Sequence, residues 1–280
     1  MAEIKIADTE INNINPKKLE LSISLATNGL SFLIYQLEIN KILALSHFPK
    51  INNTKSQIEW IETNDLLKQE FAKIKIVIST PNTVIMPAAI FNINQQGKIY
   101  DLHFGNAESV EVRAYYMKKS DNFVVFGVDK NVYKCLNKIS NSITYMSQTA
   151  AFIDVNITKL RLNKDKPKNT VYVNIYDSFF DIMCTEEDKL LLYNSFTYKS
   201  ANDVVYYILS IFEQLKLSQE KTHIILSGLI EKDNLIVINL KKFVSFVYFE
   251  SRNISFNYYY KFQDISPHYF YNFINSIECE

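Results

Sequence analysis

Two short turns hold the residues of this chain whose types and spacing could grip a phosphate. In LSISLATNGLSFLIY, Leu21 to Tyr35, the residues Thr27, Asn28 and Gly29 separate two apolar runs; in VYVNIYDSFFDIM, Val171 to Met183, Asp177 and Ser178 do the same. A third run, THIILS, is followed directly by Gly228. Hydroxyls and glycine-freed backbone N–H groups can cradle phosphate oxygens, and a carboxylate can orient a hydrated Mg²⁺. The same residues also satisfy plain hairpins. Asn28 and Gly29 both tolerate positive φ, and the Asp177 side chain can bond nearby backbone N–H groups, so an ordinary turn is the preferred reading of each. Asp181 is expected on a strand, facing solvent.

Other chemistries find less support. His47, His103, His223 and His268 are scattered, and neither they nor Cys135, Cys184 and Cys279 stand at metal-ligand spacing. The cysteines read as buried free thiols of a reducing compartment. Arg113, Arg161 and Arg252, the only arginines, lie far apart and offer no bidentate phosphate grip. Thirty basic residues balance thirty acidic ones, so no net field draws the chain to nucleic acid or an anionic membrane. No apolar stretch has the length of a membrane span or signal peptide, which predicts a cytoplasmic protein.

The elements that must position these turns form a pattern. Leu21 to Leu25, Leu30 to Tyr35 and Lys41 to Phe48 alternate as three antiparallel strands. Thr63 is expected to cap a short helix carrying Asp65, Leu66, Leu67 and Phe71, and IKIVIS, Ile74 to Ser79, is a strand buried on both faces. The second half repeats the order: two strands around Tyr176, Asp177 and Ser178, a third from Lys189 to Phe196, a helix capped by Ser200, then THIILS. With 280 residues the chain is long enough for two lobes. The expected organisation is a flexible leader at 1–18, a first lobe at 19–165 with a subdomain inserted at about 80–128, and a second lobe at 166–280. Strands are expected in the insertion near Lys98 to Phe104, Val110 to Met117 and Phe123 to Val128, with a helix from Asp129 to about Ile139. Near the C-terminus ISFNYYYKF reads as an alternating strand, followed by a helix started by Ser266 and Pro267; packing is the preferred role of its aromatics.

A duplicated unit of three antiparallel strands, a helix and a further strand resembles the actin-like ATPase superfamily, and within it a bacterial family of unknown function. The stretches that carry the resemblance are LELSISLATNGLSFLIY, IKIVISTPNTVIMPAAIF, VYVNIYDSFFDIM and HIILSGLIEKDNLIVINLKKF. The resemblance implies an α/β, two-lobed actin-like (ribonuclease H-like) fold of duplicated βββαβ units with a nucleotide cleft between the lobes. It also implies an Asp-x-Gly in each turn and a Gly-Gly step after the fourth strand. This chain departs from each: Ser24 and Ala26 stand at the first Asp and Gly with Thr27 kept, Asn174 and Tyr176 at the second pair, and Leu229 after Gly228. Thr27, Asn28, Gly29, Asp177, Ser178 and Gly228 are therefore expected as degenerate cleft positions, with no catalytic residue, metal site or cofactor.

The resulting expectation is a pseudo-ATPase that works by protein–protein interaction, or as an assembly scaffold, with an unidentified protein partner and neither nucleic acid nor membrane insertion. One alternative is an ATPase or small-molecule kinase using ATP and Mg²⁺ at an atypical site built on Asp177 or Asp181. Another is a non-catalytic binder of a small ligand in the cleft.

Overall fold

A computed structural model describes residues 3–105, 107–140 and 142–279. The first half runs β1 (Ile4–Ala7), β2 (Leu19–Ala26), β3 (Gly29–Gln36), β4 (Lys41–Phe48), α1 (Thr54–Thr63) and β5 (Lys73–Ser79). It continues through β6 (Thr83–Pro87), α2 (Gln96–Phe104), β7 (Val110–Met117), β8 (Asn122–Asp129), α3 (Lys130–Asn137), β9 (Ile143–Ser147) and α4 (Gln148–Leu162). The second half runs β10 (Asn169–Ile175), β11 (Phe179–Glu186), β12 (Lys189–Thr197), α5 (Ala201–Gln214), β13 (His223–Gly228), α6 (Leu235–Leu240) and β14 (Phe246–Phe249), then β15 (Asn257–Tyr258) and α7 (Tyr271–Asn275).

Two compact units result. The first comprises Met1–Tyr116, Asn122–Ala150 and Asn253–Ile265, the second Met117–Asp121, Ala151–Arg252 and Ser266–Glu280. The units are thus made of interleaved segments, whereas the sequence suggests a single boundary near 165. In the first unit the sheet order is β1-β4-β3-β2-β5-β9, with β15 beside β4, and a separate sheet β6-β8-β7 forms the insertion. In the second it is β12-β11-β10-β13-β14.

The expected duplication is present as β4-β3-β2-β5 and β12-β11-β10-β13. Leu21 pairs with Ile74 in parallel, and Val171 with Ile224, each partner standing 150 positions after its counterpart. Alternation explains both sheets. Leu19, Leu21, Ile23 and Leu25 enter one core with Trp60 and Ile61 of α1, while Val171, Val173 and Ile175 enter another with Val204, Ile208 and Phe212 of α5.

Several local expectations are corrected. Residues 3–18 are not a loose leader: β1 pairs antiparallel with β4, Ile6 opposite Leu45. The helix before β5 precedes Thr63 instead of following it, because Asn53 and Ser56 form a reciprocal capping box at its start. Leu66 and Leu67 fall in the 3-10 turn Asp65–Lys68, capped by Asn64. Lys98 to Phe104 is helical, ended by Gly105 in the left-handed region. ISFNYYYKF contributes only the two-residue β15 before a 3-10 turn at Tyr260–Asp264, and α7 begins at Tyr271, not at Ser266. Phe256, Tyr259, Phe262, Tyr269, Tyr271 and Phe273 are buried, so packing accounts for most of that aromatic run. No described helix is long and apolar enough to cross a membrane.

Candidate functional site

The first turn is built by β2 and β3, whose last pair is Ala26 opposite Gly29 with Thr27 and Asn28 between. Gly29 takes φ +133°, and a Cβ there would lie 2.6 Å from the Phe48 carbonyl oxygen, so glycine is required by crowding against the end of β4. Asn28 is not among the described residues with positive φ; the turn uses Gly29 alone for that conformation. Beside it lies a cleft of about 240 Å³, whose polar wall includes Thr27, Asn53, Thr54, Gln57, Thr80 and Asp129.

Short-range hydrogen bonds set that wall. Asn53 Oδ1 accepts from Ser56 N at 3.1 Å, and Asp129 Oδ1 accepts from Asn131 N at 2.8 Å and Val132 N at 3.2 Å, so the starts of α1 and α3 are capped by the chain itself. Thr54 Oγ1 donates to Asp129 Oδ2 at 3.4 Å. Buried Gln148 holds Thr80 at both ends, accepting from its N–H at 3.3 Å and donating to its carbonyl at 2.9 Å. Ser24, at the position of an active relative's Asp, lies 3.4 Å from Ser79 Oγ. Among the described residues lining the cleft, Asp129 alone is charged. A polyphosphate there would meet a carboxylate and no cation, which favours a neutral polar ligand over an anion.

The second turn has the same span and opposite contents. Tyr176 N–H donates to the Phe179 carbonyl at 2.9 Å, leaving Asp177 and Ser178 as the two exposed turn residues. Tyr176 and Phe179 occupy the places held by Ala26 and Gly29, and their rings stack at 4.2 Å and 11°. Burial pushes the Tyr176 phenol well above its ordinary range, Asp181 and Tyr193 add to the shift, and Asn272 and Asn174 oppose it. Tyr198 clamps the turn: its N–H donates to Ser178 O at 3.1 Å and its hydroxyl to Tyr176 O. Burial, reinforced by Asp177, raises the Tyr198 phenol to about 12.

Below the turn, Asn174 is buried and accepts from Ser227 Oγ at 2.8 Å across the β10–β13 pair. Asp181 does not face solvent as expected. It is fully buried opposite Asn174, and its Oδ1 accepts from Tyr193 Oη at 2.9 Å and from Ser195 Oγ. Gly228 takes φ +96°, with Ile175 O only 2.2 Å from the place of a Cβ, and its N–H donates to His268 O at 3.0 Å.

Asp177, Ser178 and Gly228 are thus gathered around the end of β10, while Thr27, Asn28 and Gly29 belong to the first unit with Asn53, Thr54, Gln57, Asp129 and Gln148. Sequence reasoning passed over that second set. The Asn53-x-x-Ser56 cap and the helix start at Asp129 are its local signals, whereas Gln148 holds Thr80 across 68 positions of sequence. Three of the four histidines are hydrogen-bonded, His47 Nδ1 with Ser31 Oγ at 2.9 Å, His103 Nδ1 with Ile99 O at 2.8 Å and His268 Nε2 with Ile230 O at 2.8 Å, and His223 packs against the rings of Phe246 and Tyr248.

Comparison with known proteins places this geometry. No curated protein matches the sequence. The chain is similar to a crystal structure of a Bacteroides thetaiotaomicron VPI-5482 protein with actin-like ATPase fold and unknown function, with 25% identity, TM-score 0.80, and coverage of 95% of this chain and 97% of that one. It is also similar in fold to the PilM-PilN type IV pilus biogenesis complex, at 9% identity and TM-score 0.57 over 91% of this chain and 96% of that one. The fold is that of the actin-like ATPases. Residues 8–247 match the family described as protein of unknown function, DUF3822, and the chain belongs to that family.

Proposed function

We propose that this protein is a catalytically degenerate actin-like-fold protein that acts by binding a protein partner, as an interaction module or assembly scaffold, without nucleotide or metal cofactor. The observation that carries this reading is the second turn, where Tyr176, its ring stacked on Phe179, stands at the position for which the resemblance implies the glycine of an Asp-x-Gly turn, so the freedom glycine gives backbone N–H groups to approach phosphate is missing there. The first turn supports it, because Ser24 supplies no charge for Mg²⁺ and Asp129 repels phosphate. Of the two carboxylates on which an atypical ATPase or kinase site would be built, Asp181 is occupied by Tyr193 and Ser195, and Asp177 is exposed in the second turn.

The partner is assigned to the inserted subdomain, which exposes Ile90, Ile93, Leu102 and Tyr116 around the stacked pair Phe91 and Phe123. The PilM fold relative, which occurs in a complex with PilN, is consistent with such use of the fold. A cytoplasmic location accords with the buried free thiols Cys135, Cys184 and Cys279. Calorimetry with ATP and Mg²⁺ tests the reading: no saturable heat is expected at millimolar nucleotide, and specific binding overturns it. The 240 Å³ cleft, with its mixed polar and apolar lining, supports a second reading, binding of a small neutral ligand without turnover.

A further inference from the structure

A second cavity of the first unit is lined by other residues than either turn. A groove of about 540 Å³ runs along β1, β4 and β3, closed by the segments around Ile11–Pro16 and Asn64–Phe71. Its walls are apolar: Ile11, Ile14, Phe32, Phe48, Leu66 and Phe71 all pack against the core yet remain only partly buried. A cavity of about 150 Å³ with such walls holds benzene. At that packing about 540 Å³ takes on the order of 20 heavy atoms, in the size range of small-molecule sites.

Polar side chains are few, and Ser46 adds a single hydroxyl to them. Asn12, Asn64 and Gln69 bring carboxamides to the lining, Lys5 brings an ammonium, and among the described lining residues none is acidic. Lys5 Nζ stands 5.6 Å from the Phe48 ring centroid and pairs with Glu3 at 2.7 Å. Both members of that pair are largely exposed, so another carboxylate can replace Glu3 at little cost. An apolar trough with one cation and several amide donors complements a chain of methylenes ending in an anion. Each methylene buried contributes about 0.8 kcal/mol.

We infer that this groove is a binding site for a single-chain amphiphile with an anionic head, a medium- to long-chain acyl carboxylate, its chain laid between Phe32, Phe48 and Phe71 and its head beside Lys5. The inference is independent of the proposed function and of the two turns.

Titration calorimetry with dodecanoate and dodecanol, each below its aggregation threshold, tests it on the full chain. Saturable one-to-one binding of dodecanoate is expected, with dodecanol weaker. Lys5→Gln, at an exposed position, should weaken dodecanoate by about threefold to fivefold and leave dodecanol unchanged. Ile14→Glu, at a half-buried position, should weaken both by at least about tenfold, with folding verified by circular dichroism. Absence of saturable binding to the wild type overturns the site. Equal affinity for acid and alcohol, both untouched by Lys5→Gln, overturns the anionic head, and unchanged dodecanoate binding by folded Ile14→Glu protein overturns the location.

Discussion

The two repeated halves build the same four-stranded skeleton and fill it differently. Ala26 and Gly29 close the first turn; Tyr176 and Phe179 close the second. Ser31 bonds His47 between β3 and β4, where the second half sets Asp181 against Ser195 between β11 and β12. Glu20 and Lys75 form a fully buried ion pair, Nζ to Oε1 3.3 Å, at positions the second half gives to Thr170 and Ile225. What the halves share is the core-facing alternation, which backbone pairing and apolar burial both demand. What they do not share is the opposite face and the turn, where any locally satisfied set of polar or aromatic groups is compatible with the skeleton.

The sharpest way to break the comparison is to convert one half into the other. Lys75→Ile alone leaves the Glu20 carboxylate buried without its cation and should cost about 3–5 kcal/mol in urea unfolding. The double variant Glu20→Thr/Lys75→Ile, which reproduces the second half, should return to within about 1 kcal/mol of wild type. If the double variant is no better than the single one, the two faces are not interchangeable.

Gly228→Val places a branched side chain at φ +96° against Ile175 O, and a loss of about 3 kcal/mol or more is expected from thermal or urea unfolding. Gly29→Val should fail similarly at the first turn. Gly97→Ala serves as the contrast: it lies in α2 with nothing within 4 Å of a new Cβ and should gain about 0.5–1 kcal/mol.

Tyr176→Ala gives the second turn the residue of the first. A loss of about 2–3 kcal/mol is expected from removing the stacked ring, against about 1 kcal/mol for Tyr176→Phe, which keeps the ring and deletes the hydroxyl. Equal losses would assign the effect to the hydroxyl and not to filling.

The last test is a pH slope. Burial lowers the His47 pKa from 6.5 to about 4, so between these values the unfolded chain binds the proton that the folded one refuses. Stability is complete above about pH 6.5 and declines as pH falls toward 4, by at most about 1.4 kcal/mol per pH unit for one site. His268, also lowered by burial, adds a slope of the same sign from the second half. Melting temperature followed from pH 7 to 4 should therefore fall less steeply in His47→Asn than in wild type, without becoming flat.

Legibility followed the strength of the local signal. The strands from Leu21 to Ser79, their repeat, and α5 with its Ser200–Asp203 capping box were readable because alternation and caps are local and mutually consistent. The helix expected after Thr63 starts instead at Asn53, whose cap is followed by the polar residues Thr54 to Gln57 before the first apolar one, Ile58. Lys98 to Phe104 is a short apolar stretch whose period cannot separate strand from helix, and its left-handed Gly105 decides for the helix. In ISFNYYYKF the alternation is real, but only Asn257 and Tyr258 find a strand partner, at Lys41 and Ile42. At the candidate site, Thr27, Asn28, Asp177 and Ser178 were legible as turn residues, while Gly29 and Gly228 stand at strand ends. Asp129 was legible only as the start of a helix, and Thr80 and Gln148 were not legible, since their pairing spans 68 positions.

By itself, then, the amino-acid order determined the duplicated βββαβ skeleton, the two turns and the lack of an Asp-x-Gly in either, because hydrophobic period and turn chemistry act over a few residues. Only the tertiary structure decided that Tyr176 folds onto Phe179, that Asp181 is buried against Tyr193 and Ser195, and that Gln148 holds Thr80. Those outcomes depend on strand register and on contacts between residues up to 68 positions apart, which no local pattern encodes.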